Sequence, residues 1–424
     1  MSATGRVMRV LAAVAPAVLI ATLLAVAAAA LTGFPWWPAA VLAVLLAVLV
    51  LPVVVYLQVL KRNQRFYRSE IARGLTRALE SEHRVLRDSF ELREDKLIVF
   101  SDLHKGTRDP ADDFWRSERA YVAALAYYLE TGHRLVVLGD VEELWENRAR
   151  DVIPQYKDVL ALERQFHAAG RYVRVWGNHD DDWRRDGDAR KYLFPALDAE
   201  VPRWEAVKLT VTDGGDELGT LFLAHGHQGT ADSQILASVS RPGVMIFGFL
   251  QRRFKRPWNT PAVDASLREP HDLAMFEWAK TAPSALNLVL IAGHTHRPVF
   301  WRSRPHVPSD EDIAEHERKL EQERAAGAAP EVLGRARARL EYAKAQRRTG
   351  IKPPTAVDPP CYFNTGCCAF ADGDVTGIEI SGGRIRLVRW PDDAGEPAHK
   401  ELDSEPLETI LEVVREHPGS PGPA

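Results

Sequence analysis

At 424 residues the chain is too long for one small core, so one large domain with appendages is expected. A formal net charge of −4 excludes a general nucleic-acid binder. The cysteines, Cys361, Cys367 and Cys368, are spaced neither as zinc ligands nor as a disulfide framework. They read as small apolar core residues in a reducing compartment.

Residues 10–60 carry no charged side chain, and Pro38 with its aromatic neighbours divides them into Val10–Leu31 and Ala39–Leu60. Each piece is long enough to cross a bilayer, which takes about 20 apolar residues. A cleaved signal peptide has a shorter apolar region and no second span behind it. Phe34, Trp36 and Trp37 sit where an interfacial aromatic belt belongs; Arg6 and Arg9 precede the pair, and Lys61, Arg62, Arg65 and Arg68 follow it. This predicts a multi-pass cell-membrane protein whose two-helix hairpin, 1–60, has cytoplasmic ends and a cytoplasmic catalytic domain. Residues 61–95 read as a charged helical linker with an apolar stripe at Ile71, Leu75 and Leu79. Its basic start suits anionic headgroups; a plain solvated linker is the equal alternative.

The region 96–390 reads as one α/β domain. Strand signals near 97–101, 135–138, 172–176, 207–211, 220–224 and 287–292 alternate with helical stretches, clearest at Phe114–Glu130 and Gln155–Ala169. Tyr362–Gly366, Thr376–Ile380 and Arg384–Trp390 suggest a second sheet packed on the first. Five strands run straight into chemistry-bearing residues: Asp102 and His104, Asp140, then Asn178-His179-Asp180, His225 and His227, and finally His294 and His296. The C-terminal ends of such strands are where α/β sites collect. Asp102 and His104, two apart on a turn, can face one ion, and the Asp140 carboxylate can bridge two. A mixed oxygen and nitrogen donor set suits Mn²⁺, Fe or Zn²⁺. A metal pair about 3.5–4 Å apart can clamp an in-line displacement at phosphorus. His133, His167 and His271 fall outside these motifs and read as structural or surface residues.

The order Asp-x-His, Gly-Asp, Gly-Asn-His-Asp, His, Gly-His-x-His resembles the calcineurin-like metallophosphoesterases over roughly residues 96–380. The resemblance implies two packed mixed β-sheets flanked by helices, a four-layer α/β/β/α domain, and a two-metal phosphohydrolase. It assigns Asp102, His104, Asp140 and His296 to one divalent ion, and Asp140, Asn178, His225 and His294 to the other, with Mn²⁺ the expected metal. It implies that His179 protonates the leaving group or steadies the transition state, with Asp180 orienting its ring. Gly139-Asp-Val-Glu-Glu-Leu-Trp145 and Gly293-His-Thr-His-Arg-Pro298 are most similar to the UDP-2,3-diacylglucosamine hydrolases. Those enzymes carry Arg in place of His179 and Asp in place of His227, a departure that bears on substrate. For His227, substrate contact and a structural role are equally open.

An insertion, 228–283, holds the apolar run Val244–Leu250, with Phe247 and Phe249, before Arg252, Arg253, Lys255 and Arg256. It reads as a lid whose aromatics and arginines contact substrate and membrane lipid, with a core helix as the alternative. A charged helical hairpin is expected over 305–350, and a flexible tail over 391–424 with a short helix near Leu407–Arg415. The expected substrate is a phosphorylated small molecule or lipid. The alternatives are a general or cyclic-nucleotide phosphodiesterase and a non-catalytic scaffold.

Overall fold

The strand runs are apolar on both faces because each strand is sandwiched, and alternation along the backbone sends successive side chains to opposite layers. In the computed structural model, which describes residues 64–229, 269–281, 286–300, 310–329, helical residues between 332 and 344, 359–370, 372–391 and 397–416, this is plain in β2 (Leu97–Phe100). Leu97 and Val99 enter one buried cluster, Ile98 and Phe100 another.

Thirteen described strands form two mixed sheets. The first contains β2, β3 (Arg134–Leu138), β4 (Tyr172–Val175) and β5 (Arg203–Trp204) in parallel. Antiparallel β11 (Val375–Ser381), β12 (Arg384–Trp390) and β13 (Lys400–Pro406) extend it from β2. The second runs β1 (Val85–Glu91), β6 (Ala206–Asp213), β7 (Asp216–Ala224), β8 (Leu288–Ala292), β10 (Tyr362–Thr365), β9 (Pro298–Val299). Leu97, Val99, Val136 and Leu138 of one sheet meet Val207, Leu223, Val289 and Ile291 of the other in a single core. Each such side chain contributes roughly 1.5–3 kcal/mol on burial. Outside the first sheet, Phe100 packs edge-on against Tyr121 and Tyr128 of α2 (Glu118–Glu130), and α3 (Lys157–Ala168) adds Leu160 and Phe166. Outside the second, Trp278 of α4 (Glu269–Thr281) lies 5.8 Å from the Phe222 ring. The layers are helix, sheet, sheet, helix.

Several expected boundaries move. The linker helix α1 (Gln64–Glu80) stops before residue 95, and β1 pairs in parallel with β6 as an edge strand. Ile71 and Leu75 are fully buried, so the helix from Ile71 on belongs to the domain. The tail also corrects the expectation: β13 closes one sheet edge, and α6 (Leu407–Glu416) buries Leu407, Ile410 and Leu411 in the inter-sheet core. An amphipathic helix that buries three large apolar residues cannot behave as a loose end. The helix expected from Phe114 begins as a 3₁₀ turn, Phe114–Arg116, before α2. In the charged hairpin, Ile313 and Leu320 of α5 (Asp310–Ala325) pack on Leu333, Ala336 and Leu340. All three cysteines are free and buried. The membrane hairpin lies outside the described residues, as do Phe247, Phe249, Arg252 and Arg253. Among the described residues, no helix is long and apolar enough to cross a membrane.

Candidate metal centre

The turns after β2, β3, β4, β7 and β8 converge on one rim. Asp102, His104, Asp140, His294 and His296 all adopt left-handed backbone conformations, with φ of 54°, 50°, 51°, 67° and 59°. They are five of the eight such non-glycine residues described, so backbone strain of about 1–3 kcal/mol per residue is concentrated on candidate ligands. Asp and His tolerate this region better than branched residues. Two glycines let the turns touch. A Cβ on Gly293 would lie 2.6 Å from Asp102 Oδ2, and one on Gly177 would overlap the Asp140 carboxylate.

Among the described residues three donor groups result: Asp102 with His104 and His296, Asp140 with His225 and His294, and His104 with Glu143 and His179. His296 Nε2 lies 3.3 Å from Asp102 Oδ1 and 3.2 Å from His104 Nε2. Donors about 2.1 Å from a shared ion are themselves about 3.0–3.4 Å apart, so this is the spacing of a ligand cage. Asp140 faces the first two groups through one atom: its Oδ2 is 3.8 Å from His104 Nε2 and 3.1 Å from His225 Nε2. Its other oxygen accepts the His179 backbone N–H at 2.8 Å. A bridge between two ions would therefore rest on one oxygen.

The remaining atoms of each ligand are held from behind. Asp102 Oδ2 accepts from Ser101 Oγ and from the His294 N–H at 2.8 Å, leaving Oδ1 forward. His225 donates from Nδ1 to Leu138 O at 2.8 Å, which turns Nε2 inward. Asn178 Oδ1 is buried without a hydrogen-bond partner, an unfavourable state for a polar atom, and Asp102 Oδ1 and His225 Nε2 meet other candidate ligands, His296 Nε2 at 3.3 Å and Asp140 Oδ2 at 3.1 Å. The donor set and the orphaned amide oxygen fit two divalent ions: Asp102, His104, Asp140 and His296 would hold one, and Asp140, Asn178, His225 and His294 the other. Electrostatics agree. Burial opposes charge on His104, yet the Glu143 hydrogen bond and the Asp140 and Asp102 carboxylates raise it to about 10. Burial likewise opposes charge on His225, and Asp140 and Asp102 raise it to about 9. The cavity thus favours cations strongly.

His179 stacks on Trp145 at 4.4 Å and stands edge-on to His104 at 4.8 Å. Its side chain is 18% exposed, against 10% for His104 and His296 and 2% or less for Asp102, Asp140 and His225, so it is more open to an incoming molecule than these. Asp180 was expected to orient it; the structure spends that carboxylate elsewhere. Asp180 accepts backbone N–H groups of Gly177 at 2.6 Å, Val141 at 3.0 Å and Asp140 at 3.3 Å, tying the β3 and β4 turns together. The carboxylate beside His179 is Glu143. Its Oε2 lies 2.6 Å from His179 Nδ1 and 3.1 Å from His104 Nδ1, and its Oε1 accepts the Trp145 N–H at 3.1 Å. Burial would raise Glu143, but His179 and His104 hold it at about 2.

His227 is buried with its ring 5.4 Å from His225; burial and that neighbour push it down to about 3, so it stands neutral. His133 is a buried structural residue bonded to Thr131. His271, expected to be a structural or surface residue, is buried: its Nε2 is 2.7 Å from Gly226 O and its ring packs 4.8 Å from His294. Beside it, Asp272 receives Thr295 Oγ1 at 2.9 Å and Tyr362 OH at 2.5 Å, and Arg297 Nε lies 2.8 Å from its Oδ2. Asn364 donates to Gly293 O at 2.8 Å. Sequence reasoning did not single out Glu143, Asp272 or Asn364. For Glu143 a signal existed, three residues past Asp140 in the same turn; the other two come from α4 and β10, with none.

A family model described as calcineurin-like phosphoesterase matches residues 96–298, beginning at the expected residue and ending before β10 to β13. No curated protein matches the chain. With the donor groups gathered at the strand ends, residues 96–298 form a calcineurin-like metallophosphoesterase domain, and the protein is a metal-dependent phosphoester hydrolase.

Proposed function

We propose that this hydrolase is membrane-anchored, holds two divalent ions, Mn²⁺ first among them, and cleaves a phosphoester or pyrophosphate bond of a lipid-linked or nucleotide-linked substrate. The observation that carries the two-metal reading is the single Asp140 oxygen facing both His104 and His225. When bound, such ions supply positive charge to the phosphoryl oxygens and make water a nucleophile near neutral pH. The chain's residues supply orientation and a proton. Glu143 occupies His179 at Nδ1, so Nε2 is left for the substrate, where its proton passes to the departing oxygen as the P–O bond breaks. Trp145 keeps the ring plane fixed by stacking.

The substrate reading rests on sequence. The uncharged residues 10–60 support an anchor, and the run Val244–Leu250 beside Arg252 and Arg253 supports contact with acyl chains and phosphate. The similarity to UDP-2,3-diacylglucosamine hydrolases points the same way, with His179 and His227 as departures. The test compares acylated with deacylated forms of one phosphoester on the wild type and on Phe247→Asp, Phe249→Asp. A preference for the acylated form, reduced in the variant, is expected. Equal rates on both forms refute the lipid reading and leave the hydrolase reading standing.

A further inference from the structure

Behind the metal centre lies a second set of charges that catalysis does not use. Lys105 Nζ is 3.0 Å from Glu142 Oε1 and 3.3 Å from Glu163 Oε1. Arg174 bonds Glu142 Oε2 and lies 3.5 Å from Glu163 Oε2. All four side chains are at most 1% exposed. Trp183 Nε1 donates to Glu142 at 2.8 Å, and Tyr172 OH donates to Glu163 at 2.6 Å.

The placement is not random. Lys105 follows the ligand His104, and Glu142 precedes Glu143. The two turns meet at an isolated parallel bridge between Lys105 and Glu142, with Lys105 N–H donating to Val141 O at 2.9 Å and Glu143 N–H to Lys105 O at 3.0 Å. Glu143 contacts His104 and His179, while Lys105 and Glu142 pair within the quartet. Glu142 is gripped from three separate pieces of chain: the β2 turn by Lys105, β4 by Arg174, and the turn after His179 by Trp183. Apolar residues of similar volume fill such a space at least as stably as buried ions do. What ions add is direction.

We propose that Lys105, Glu142, Glu163 and Arg174 are positioning residues that set the backbone of Glu143 and thereby the ring of His179. The inference rests on His179 acting as proton donor. The charge-free variant Lys105→Met, Glu142→Gln, Glu163→Gln, Arg174→Met keeps acceptors for Trp183 and Tyr172. Full-length protein loaded with Mn²⁺ is examined for metal content and for KM and kcat on alkyl and p-nitrophenyl phosphoesters, and the same protein loaded with diamagnetic Zn²⁺ is examined by NMR for the downfield ring proton between His179 and Glu143. Expected are intact metal content, unchanged KM, loss of the shared proton signal, and alkyl-ester kcat lower by about 10- to 100-fold, the scale of a misplacement near 1 Å. The p-nitrophenyl ester, which needs little protonation, loses less. A folded variant that keeps the proton signal and the alkyl-ester kcat overturns the proposal. If the fourfold variant does not fold, Trp183→Phe, which removes one bond to Glu142 and no charge, decides by the same two readouts. A lost proton signal with equal losses on both esters instead refutes His179 as the acid and leaves the positioning role intact.

Discussion

Replacing Glu143 by Gln changes one atom and the charge, and the geometry says why the site cannot absorb it. The carboxylate accepts at both ends, from His179 and His104 at Oε2 and from the Trp145 N–H at Oε1. An amide has one accepting end. With its oxygen toward the histidines, its NH₂ meets the Trp145 N–H. With the oxygen toward Trp145, the NH₂ faces both rings, and each ring must carry its proton on Nε2. For His104 that tautomer removes the nitrogen aimed at Asp102, Asp140 and His296. Either way a hydrogen bond to a charged group is lost, worth about 1.5–3 kcal/mol, which at about 1.4 kcal/mol per decade is roughly 10- to 100-fold in kcat. The metal held by His104 should weaken by a similar 10–100-fold, as changes behind a ligand usually produce. Turnover on alkyl phosphoesters and metal content after dialysis are the assays. Unchanged kcat with both ions retained would refute the reasoning.

Asp140→Asn should cost more activity and more metal than His296→Ala, because one oxygen serves both groups; equal mild losses would remove the bridge. His179→Ala should keep both metals and lose about 10²–10⁴ in turnover on poor leaving groups, less on p-nitrophenol esters; metal loss with His179 would make it a ligand. His104 and His225 sit near 10 and 9 in the metal-free protein, above an ordinary value of 6.5, so both are protonated at pH 7. Loading must displace those protons, so metal affinity should rise with pH, and calorimetry in two buffers should show proton release; no buffer dependence would contradict it. By the same sign, the stability these two imidazolium groups give the metal-free protein is present below about pH 6.5 and lost as pH rises through about 9 to 10.

The candidate ligands were legible because each ends an apolar run. A strand buried on both faces must be continuously apolar, and the first polar residues after it mark the sheet's rim. Local order therefore points to Asp102, His104, Asp140, Asn178, His225, His294 and His296. The free, buried cysteines were legible for the same reason. What packs behind the rim was not. Asp180 adjoins His179 in the chain yet bonds three backbone amides, while Glu143, from another turn, takes the ring. Arg174 interrupts an apolar strand, and only the arrival of Glu142 and Glu163 from distant segments makes its burial tolerable. The same holds for residues 397–416, whose charged surface reads as a loose end until β12 offers an edge to pair with. The amino-acid sequence determines which candidate ligands reach the rim of the sheets, since that follows from position along one strand. The tertiary structure alone decides which groups hold them, since a hydrogen bond or a buried ion pair depends on a partner far away in the chain.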